Sequence, residues 1–455
     1  MTWLSEHFGS LSEKPAIVDV NGEFSYAELV EKIDEYSSEI SDCIAPGDIV
    51  VILADYNFYS IALLLALHKK QVIIVPIVSQ NNEEVNSRIK VANADWILRL
   101  ESGVVDAEKL NNNEAKHALV KDLVKKGHAG LILFSSGSTG VPKAMIHDLD
   151  NLINSFKGKN TKNLNMLVFL MFDHIGGLNT LLNTLAMGAR IILPTNRNAE
   201  HIGQLIENYK VNVLPATPTF LNMLLMAKAH ENYNLRSLKM ITYGTETMPE
   251  SLLTKLKDAF PRARLLQTFG TSETGIAQTS SKSSDSLEMK LDDPNTEYKI
   301  VNNELWLRSK TQVLGYLNAD MSSFTDDGWF QTGDLVEQSE DGYIKIIGRS
   351  KEVINVGGEK VLPNEVESVL LELDIIEDCM VYGEKNAITG QMVAVQLVLK
   401  DGAIEKDAKK EIRSHCKERL DTYKIPVRFK FSDKTNFGER FKKMRLTKVG
   451  DKDEA

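Results

Sequence analysis

The residues best suited to chemistry lie in three short clusters. In the first, the apolar run Leu131, Ile132, Leu133, Phe134 leads into Ser135, Ser136, Gly137, Ser138, Thr139 and Gly140, with Lys143 following after Val141 and Pro142. Glycines let backbone amides turn towards an anion, hydroxyls add donors and the lysine adds charge, a combination suited to a polyphosphate. It is not the Walker pattern, and Pro142 blocks an immediate helix of the P-loop type. The second cluster is Phe269, Gly270, Thr271, Ser272, Glu273, Thr274, Gly275. It nearly spells the serine-hydrolase elbow G-x-S-x-G, but Thr274 stands where glycine is required. An aromatic ring, hydroxyls and a carboxylate suit instead a purine, phosphate oxygens and a magnesium ligand. In the third, Gly328 to Asp334, a turn presents one carboxylate that could accept two hydrogen bonds from ribose hydroxyls.

These clusters need a scaffold, and the chain reads as strands alternating with helices. Residues 49–53, 72–78, 166–170, 190–193 and 211–214 are β-like and apolar; 59–68 and 178–187 have helical spacing. Buried apolar strands separated by helices predict α/β layers with largely parallel sheets. Around 304–307 and 343–347 the segments become short and turn-punctuated, which predicts a small antiparallel β subdomain. After Arg349 a new block begins: a helix started by Pro363 and running to Leu373, a strand at 392–399, a charged helix and a basic tail. The expected division is residues 1–349 and 350–455, the second part a small α+β domain.

Composition bounds the class. A chain of 455 residues with 43% hydrophobic and 25% charged residues is globular and long enough for two or three cores. Its longest apolar runs, 61–67 and 72–78, fall far short of the ~18 residues that span a bilayer. No secretory signal is visible at the N-terminus, so a cytoplasmic location is expected. Three scattered cysteines exclude a disulfide framework and a cysteine zinc site, and the nine histidines show no ligand spacing. The net charge of −10 argues against nucleic-acid binding, although residues 424–448 hold nine Lys or Arg against two acids.

Taken in order, the clusters resemble the adenylate-forming superfamily of acyl-CoA synthetases, adenylation domains and firefly-type luciferases. Supporting stretches are Phe24 to Leu29, Pro46 to Val50, Gly348 to Ile354, Gly357 to Lys360 and Tyr423 to Pro426. The resemblance implies a large N-terminal AMP-binding domain and a mobile C-terminal one. It also implies a two-step reaction. A small carboxylic acid attacks the α-phosphate of ATP, with Mg2+, to give an acyl-adenylate and pyrophosphate; a thiol then displaces AMP. Carried over by position, Ser135 to Lys143 would wrap the β- and γ-phosphates, and Gly244, Thr245 and Glu246 would line adenine. Phe269 would take the adenine-stacking position, with Gly270 and Thr271 beside it. Ser272 would contact phosphate, Glu273 would hold magnesium, and Asp334 and Arg349 would hold the ribose. Lys351 would be the hinge, and His174 the edge of the acyl pocket. Asp173 fits a polar substrate or a cap on the following helix, with capping the preferred reading.

One departure concerns the tail. Family members carry a lysine that bridges carboxylate and phosphate, and here Glu439 falls at that position. A carboxylate cannot neutralise charge between two anions, so Arg440, Lys442 or Lys443 is expected to substitute. The leading expectation is an acyl-CoA synthetase. The alternatives are a stand-alone loader of a separate carrier protein's phosphopantetheine thiol and a weakened nucleotide or acyl-adenylate binding protein.

Overall fold

A computed structural model describes residues 2–112, 114–135, 142–400 and 402–432. Two seven-stranded sheets dominate the first 320 or so residues. One runs in the order Arg264–Gln267, Met240–Tyr243, Val213–Ala216, Asn165–Leu167, Arg190–Ile192, Pro15–Asp19, Gly22–Ser25, parallel except at its last edge. The other runs Gly315–Tyr316, Lys143–Asp148, Gly130–Ser135, Ile73–Ile77, Ile49–Leu53, Trp96–Glu101, Val104–Lys109. It is parallel in the middle and antiparallel at both ends.

The strands are apolar on both faces because both faces are covered. Ile17 and Ile191 of the first sheet share a core with Val50, Ile52, Ile74, Leu131 and Leu133 of the second. Helices Phe58–Lys69 and Ile175–Ala186 supply residues to the same core and lie between the two sheets. The alternate residues Val18 and Ile192 pack outward with helices Ala199–Tyr209, Pro218–Met226 and Glu250–Ala259. Val51, Val75 and Ile132 pack outward with Asn82–Ala92 and Ala118–Lys126. The strand period of two thus sorts side chains into five layers, α/β/α/β/α. Helix Phe58–Lys69 is buried all round, from Ser60 to His68, as a central-layer helix must be.

A six-stranded antiparallel sheet follows, ordered Thr279–Ser281, Glu288–Leu291, Ile344–Arg349, Phe330–Gln338, Glu304–Ser309, Thr296–Val301. It closes a separate small core around Met289, Leu305, Leu307, Val336 and Ile344. Beyond Arg349, a one-turn 3-10 helix, Ser350–Glu352, leads to a different sheet. Its strands Glu359–Val361, Ile354–Val356, Gly390–Leu399 and Ile376–Asn386, with Arg428–Phe431 added parallel, pack on helices Pro363–Leu370 and Glu405–Lys417. This C-terminal part has its own core, from Ile354 through Val366 and Val395 to Cys416.

Two expected elements end three residues early. The strand at 166–170 stops at Leu167, where the chain leaves the sheet to build the turn before the next helix. The helix begun by Pro363 stops at Leu370, and Leu371 and Leu373 reach the C-terminal core from the turn that follows. Among the described residues no helix is long and apolar enough to cross a membrane.

Candidate active site

The three clusters sit on neighbouring strand ends. Ser135 closes strand Gly130–Ser135 and Lys143 opens its partner, so the two ends of the hydroxyl-rich loop stand opposite each other in register. Ser136, Gly137, Ser138, Thr139 and Gly140 lie outside the described residues. Asn318 clasps the loop's exit, its Oδ1 accepting from Ala144 N at 2.9 Å and its Nδ2 donating to Pro142 O at 2.9 Å.

Glu273 lies in the turn of a hairpin between Phe269–Thr271 and Gly275–Ala277. Thr274 N donates to Thr271 Oγ1 at 3.1 Å, and Val313 N donates to Glu273 O at 2.7 Å, so both ends of the turn are held. Tyr316, which was not singled out in sequence, joins this turn to the hydroxyl-rich loop. Its hydroxyl donates to Glu273 Oε1 at 3.0 Å, and Lys143 Nζ lies 5.5 Å from its ring centroid. Burial, and then the Glu273 charge, push the Tyr316 phenol well above its ordinary range, so it acts as a neutral donor. Ser272 and Glu273 stay partly exposed beside it. Phe269 is only 7% exposed and packs into the antiparallel core, which leaves little of its surface for a base to stack on.

The segment after strand Met240–Tyr243 is tightly constrained. A Cβ on Gly244 would meet Thr268 Oγ1 at 2.6 Å and Thr268 O at 2.7 Å, so only glycine fits. Thr245 holds φ +71°, a left-handed conformation costly for a β-branched residue, and its buried Oγ1 has no hydrogen-bond partner among the described residues. Glu246 Oε2 accepts from Thr219 Oγ1 at 2.7 Å and Thr219 N at 3.2 Å. That carboxylate is engaged by the start of a helix, so the segment offers a base mainly its backbone and Thr245.

Asp334 and Arg349 face each other across adjacent antiparallel strands. Arg349 Nε donates to Asp334 Oδ1 at 2.9 Å, while buried Oδ2 has no hydrogen-bond partner among the described residues. Asp334 is 4% exposed, and burial raises its carboxyl above the ordinary range although Arg349 pulls the other way. Lys351 is exposed, in the 3-10 turn two residues beyond Arg349.

His174 takes the helix cap expected of Asp173. His174, not Asp173, caps helix Ile175–Ala186, its Nδ1 accepting from Gly176 N at 3.0 Å. That bond assigns the neutral ring's proton to Nε2. Asp173 turns away to a buried ion pair, with Arg88 Nη1 2.8 Å from its Oδ2. The cause is tertiary: helix Asn82–Ala92 brings Arg88 over this turn, and a guanidinium is a better partner for a buried carboxylate than a helix end. Arg88 also pairs with Glu84 and lies 5.5 Å from the Phe134 ring centroid, next to Ser135. Nothing local in the sequence marks Arg88; it is 85 residues from Asp173. Arg440, Lys442, Lys443 and Glu439 lie outside the described residues.

Relatives share this arrangement of chain. The anthranilate CoA ligase AuaEII, solved with anthranoyl-AMP, superposes with a TM-score of 0.81 at 18% identity, covering 96% of this chain and 94% of that one. The o-succinylbenzoate CoA synthetase of Bacillus subtilis, solved with its acyl-adenylate intermediate, gives 0.76 at 21% identity over 98% and 96%. In sequence, the 2-succinylbenzoate–CoA ligase of Enterococcus faecalis is 25% identical over 95% of this chain and 94% of its own length. The 4-coumarate-CoA ligase 1 of Narcissus pseudonarcissus is 29% identical over 64% of this chain and 59% of its own. The profile of the AMP-binding enzyme C-terminal domain matches residues 365–438. That of the AMP-binding enzymes matches residues 4–317, more than half the chain and every strand of both large sheets, and by that match the chain belongs to the AMP-binding enzyme family.

Proposed function

We propose that this protein is an acid–thiol ligase of the acyl-CoA synthetase kind. A carboxylate attacks the α-phosphate of ATP and releases pyrophosphate; the thiol of coenzyme A then attacks the acyl carbon and releases AMP. The observation that carries this reading is the Lys143–Tyr316–Glu273 cluster. It sets a cation and a carboxylate on two sides of one phenol, at the exit of the loop suited to polyphosphate. Lys143 supplies charge to phosphate, and Tyr316 keeps Glu273 aimed. Glu273 fits magnesium, a hard ion that takes carboxylate oxygens: it is partly exposed, and Tyr316 occupies only Oε1. Magnesium held there would offset charge building on the phosphates. Asp334 and Arg349 hold the ribose, and His174 borders the acyl group. Positioning and charge compensation of this sort supply most of the rate enhancement in phosphoryl chemistry. The relatives' CoA-ligase names favour coenzyme A over a carrier protein as acceptor, and we place the reaction in the cytoplasm, where both nucleotides are available.

Carboxylate-dependent ATP–pyrophosphate exchange across a panel of aryl and alkyl acids tests the proposal. Exchange with at least one acid supports it; none with any acid would favour a nucleotide-binding protein. Tyr316→Phe should lower exchange about tenfold, the worth of one hydrogen bond to a charged group at ~1.5 kcal/mol, and raise the magnesium concentration needed. An unchanged magnesium requirement would deny Tyr316 its role.

We further propose that residues 1–349 and 350–455 are separate domains, with Lys351 at the hinge. Limited proteolysis should cut near Ser350 and leave two stable pieces; resistance there with cuts elsewhere counts against it. In the tail, Lys442 and Lys443 are adjacent, so in a strand only one faces the site. One of Lys442→Ala and Lys443→Ala should therefore lose roughly 10²-fold in exchange, about 2.7 kcal/mol, with thioester formation from supplied acyl-adenylate preserved. Arg440, which would share a face with Lys442, is the next candidate. Silence of all three variants means the cation comes from elsewhere.

A further inference from the structure

The hairpin that carries the hydroxyl-rich loop has a second cluster at its other end. Ser135 pairs with Lys143 at the loop, and Gly130 pairs with Asp148 five residues along, roughly 17 Å away at strand rise. Around that base stand His128, Asp148 and Asp150, with His68 from the buried helix Phe58–Lys69 behind them. One ligand atom from each of His128, Asp148 and Asp150 lies within 4.8 Å of the other two. No local motif announces this group; the fold assembles it from three segments.

We propose that His128 Nδ1 and the carboxylates of Asp148 and Asp150 form a structural divalent-cation site of the zinc class, with His68 holding Asp150 in position. Three observations support it.

The first is that the carboxylates are already oriented. Asp150 Oδ2 accepts from Ala129 N at 2.7 Å, and Asp148 Oδ1 accepts from Asn151 N at 3.0 Å. His68 Nε2 lies 3.2 Å from Asp150 Oδ1, and its side chain is 2% exposed. Such outer contacts hold the ligands of metal sites in place.

The second is charge. Two partly buried carboxylates stand close together, and among the described residues neither is ion-paired with a lysine or arginine; each faces an imidazole. Imidazoles are not permanent cations, so a divalent ion is the natural complement of this pair.

The third is geometry. His128 Nδ1 lies 2.8 Å from Asp148 Oδ2, a hydrogen bond. Zinc bonds of ~2.1 Å set tetrahedral ligand atoms roughly 3.4 Å apart, so this pair must part by about 0.6 Å, while any pair near the 4.8 Å limit must close up. His128, 41% exposed, can make that movement and opens the site to solvent. Water fills the remaining position, and any proton on the imidazole nitrogen leaves as the metal binds. The ion would pin the start of strand Gly130–Ser135 and the end of strand Lys143–Asp148 to helix Leu149–Asn154 and to the buried helix. It has no part in the reaction chemistry.

The test uses the full chain, stripped with chelator and dialysed. Titration with Zn2+ should load about one equivalent and raise the apparent melting temperature by several degrees, as binding to the folded state alone requires. Co2+ in its place should give visible d–d absorption. His128→Ala and Asp150→Asn should each abolish uptake and the melting shift; His68→Gln should weaken affinity roughly 10- to 100-fold. Glu273→Gln should leave zinc loading intact, which separates this site from the nucleotide site and from the ligase reading. A wild-type chain that takes up neither ion would overturn the proposal, as would uptake that survives in both His128→Ala and Asp150→Asn. If those variants fail to fold, the wild-type Co2+ spectrum decides, and its absence is fatal.

Discussion

Asp334→Ala should weaken ATP binding by roughly 10²- to 10⁴-fold. The figure follows from two charge-assisted hydrogen bonds to ribose hydroxyls, each worth ~1.5–3 kcal/mol when the partner is buried. Asp334 is prepared for that ligand at some expense to itself. It is 4% exposed, Arg349 serves one oxygen, and the other has no hydrogen-bond partner among the described residues. Burial raises its carboxyl, which means the free protein would hold a proton there more readily than the unfolded chain does. A carboxyl raised on folding contributes stability at low pH that is lost as pH rises through its folded value. At neutral pH the buried charge therefore costs stability until the nucleotide binds. Two results follow. Calorimetry should show ATP affinity falling as pH drops into the raised titration range of Asp334, at a higher pH than an ordinary aspartate would give. Asp334→Ala should also melt no lower than wild type at neutral pH, despite its poor binding. A variant that binds ATP normally would remove Asp334 from the site; one that binds poorly because it melts early would make its role structural.

Arg88→Met should destabilise the folded chain by about 3–5 kcal/mol, the cost of removing one member of a buried ion pair. Asp173, 4% exposed, would lose the guanidinium 2.8 Å from its Oδ2, and Phe134 would lose the cation over its ring. Methionine keeps much of the arginine stem's volume, so the loss is chiefly electrostatic. Urea denaturation followed by tryptophan fluorescence should show an earlier transition. The double variant Arg88→Met with Asp173→Asn should recover much of the loss, because the side chain that faced the guanidinium is then neutral. A single variant within about 0.5 kcal/mol of wild type would mean water already screens Asp173. Because Phe134 precedes Ser135 and Asp173 precedes His174, this pair ties the loop to the turn bordering the acyl group. Its loss is therefore expected to reduce exchange activity as well.

The sequence by itself determined whatever depends on neighbours along the chain. Continuous apolar strands and the apolar run at 61–67, within the helical stretch 59–68, specified layered α/β packing, because both faces of such elements must be covered. The Glu273 and Asp334 clusters stood out because their residues are contiguous, whereas Arg349 entered only through the family resemblance; the structure sets it opposite Asp334 across one strand pair. Which distant side chains meet was settled only in three dimensions. Tyr316 reaches Glu273 across 43 residues, and Arg88 reaches Asp173 across 85. His68 meets Asp150 across 82, in a chain whose histidine spacing promised no metal site. His174 took the helix cap expected of Asp173 because a guanidinium arrived from another layer. Spacing of 2 or 3.6 residues encodes which face of an element is buried. It does not encode which charged group the opposite layer will present there, since strand order joins segments as far apart as Pro15–Asp19 and Arg190–Ile192, and only that order decides which charges share a low-dielectric space.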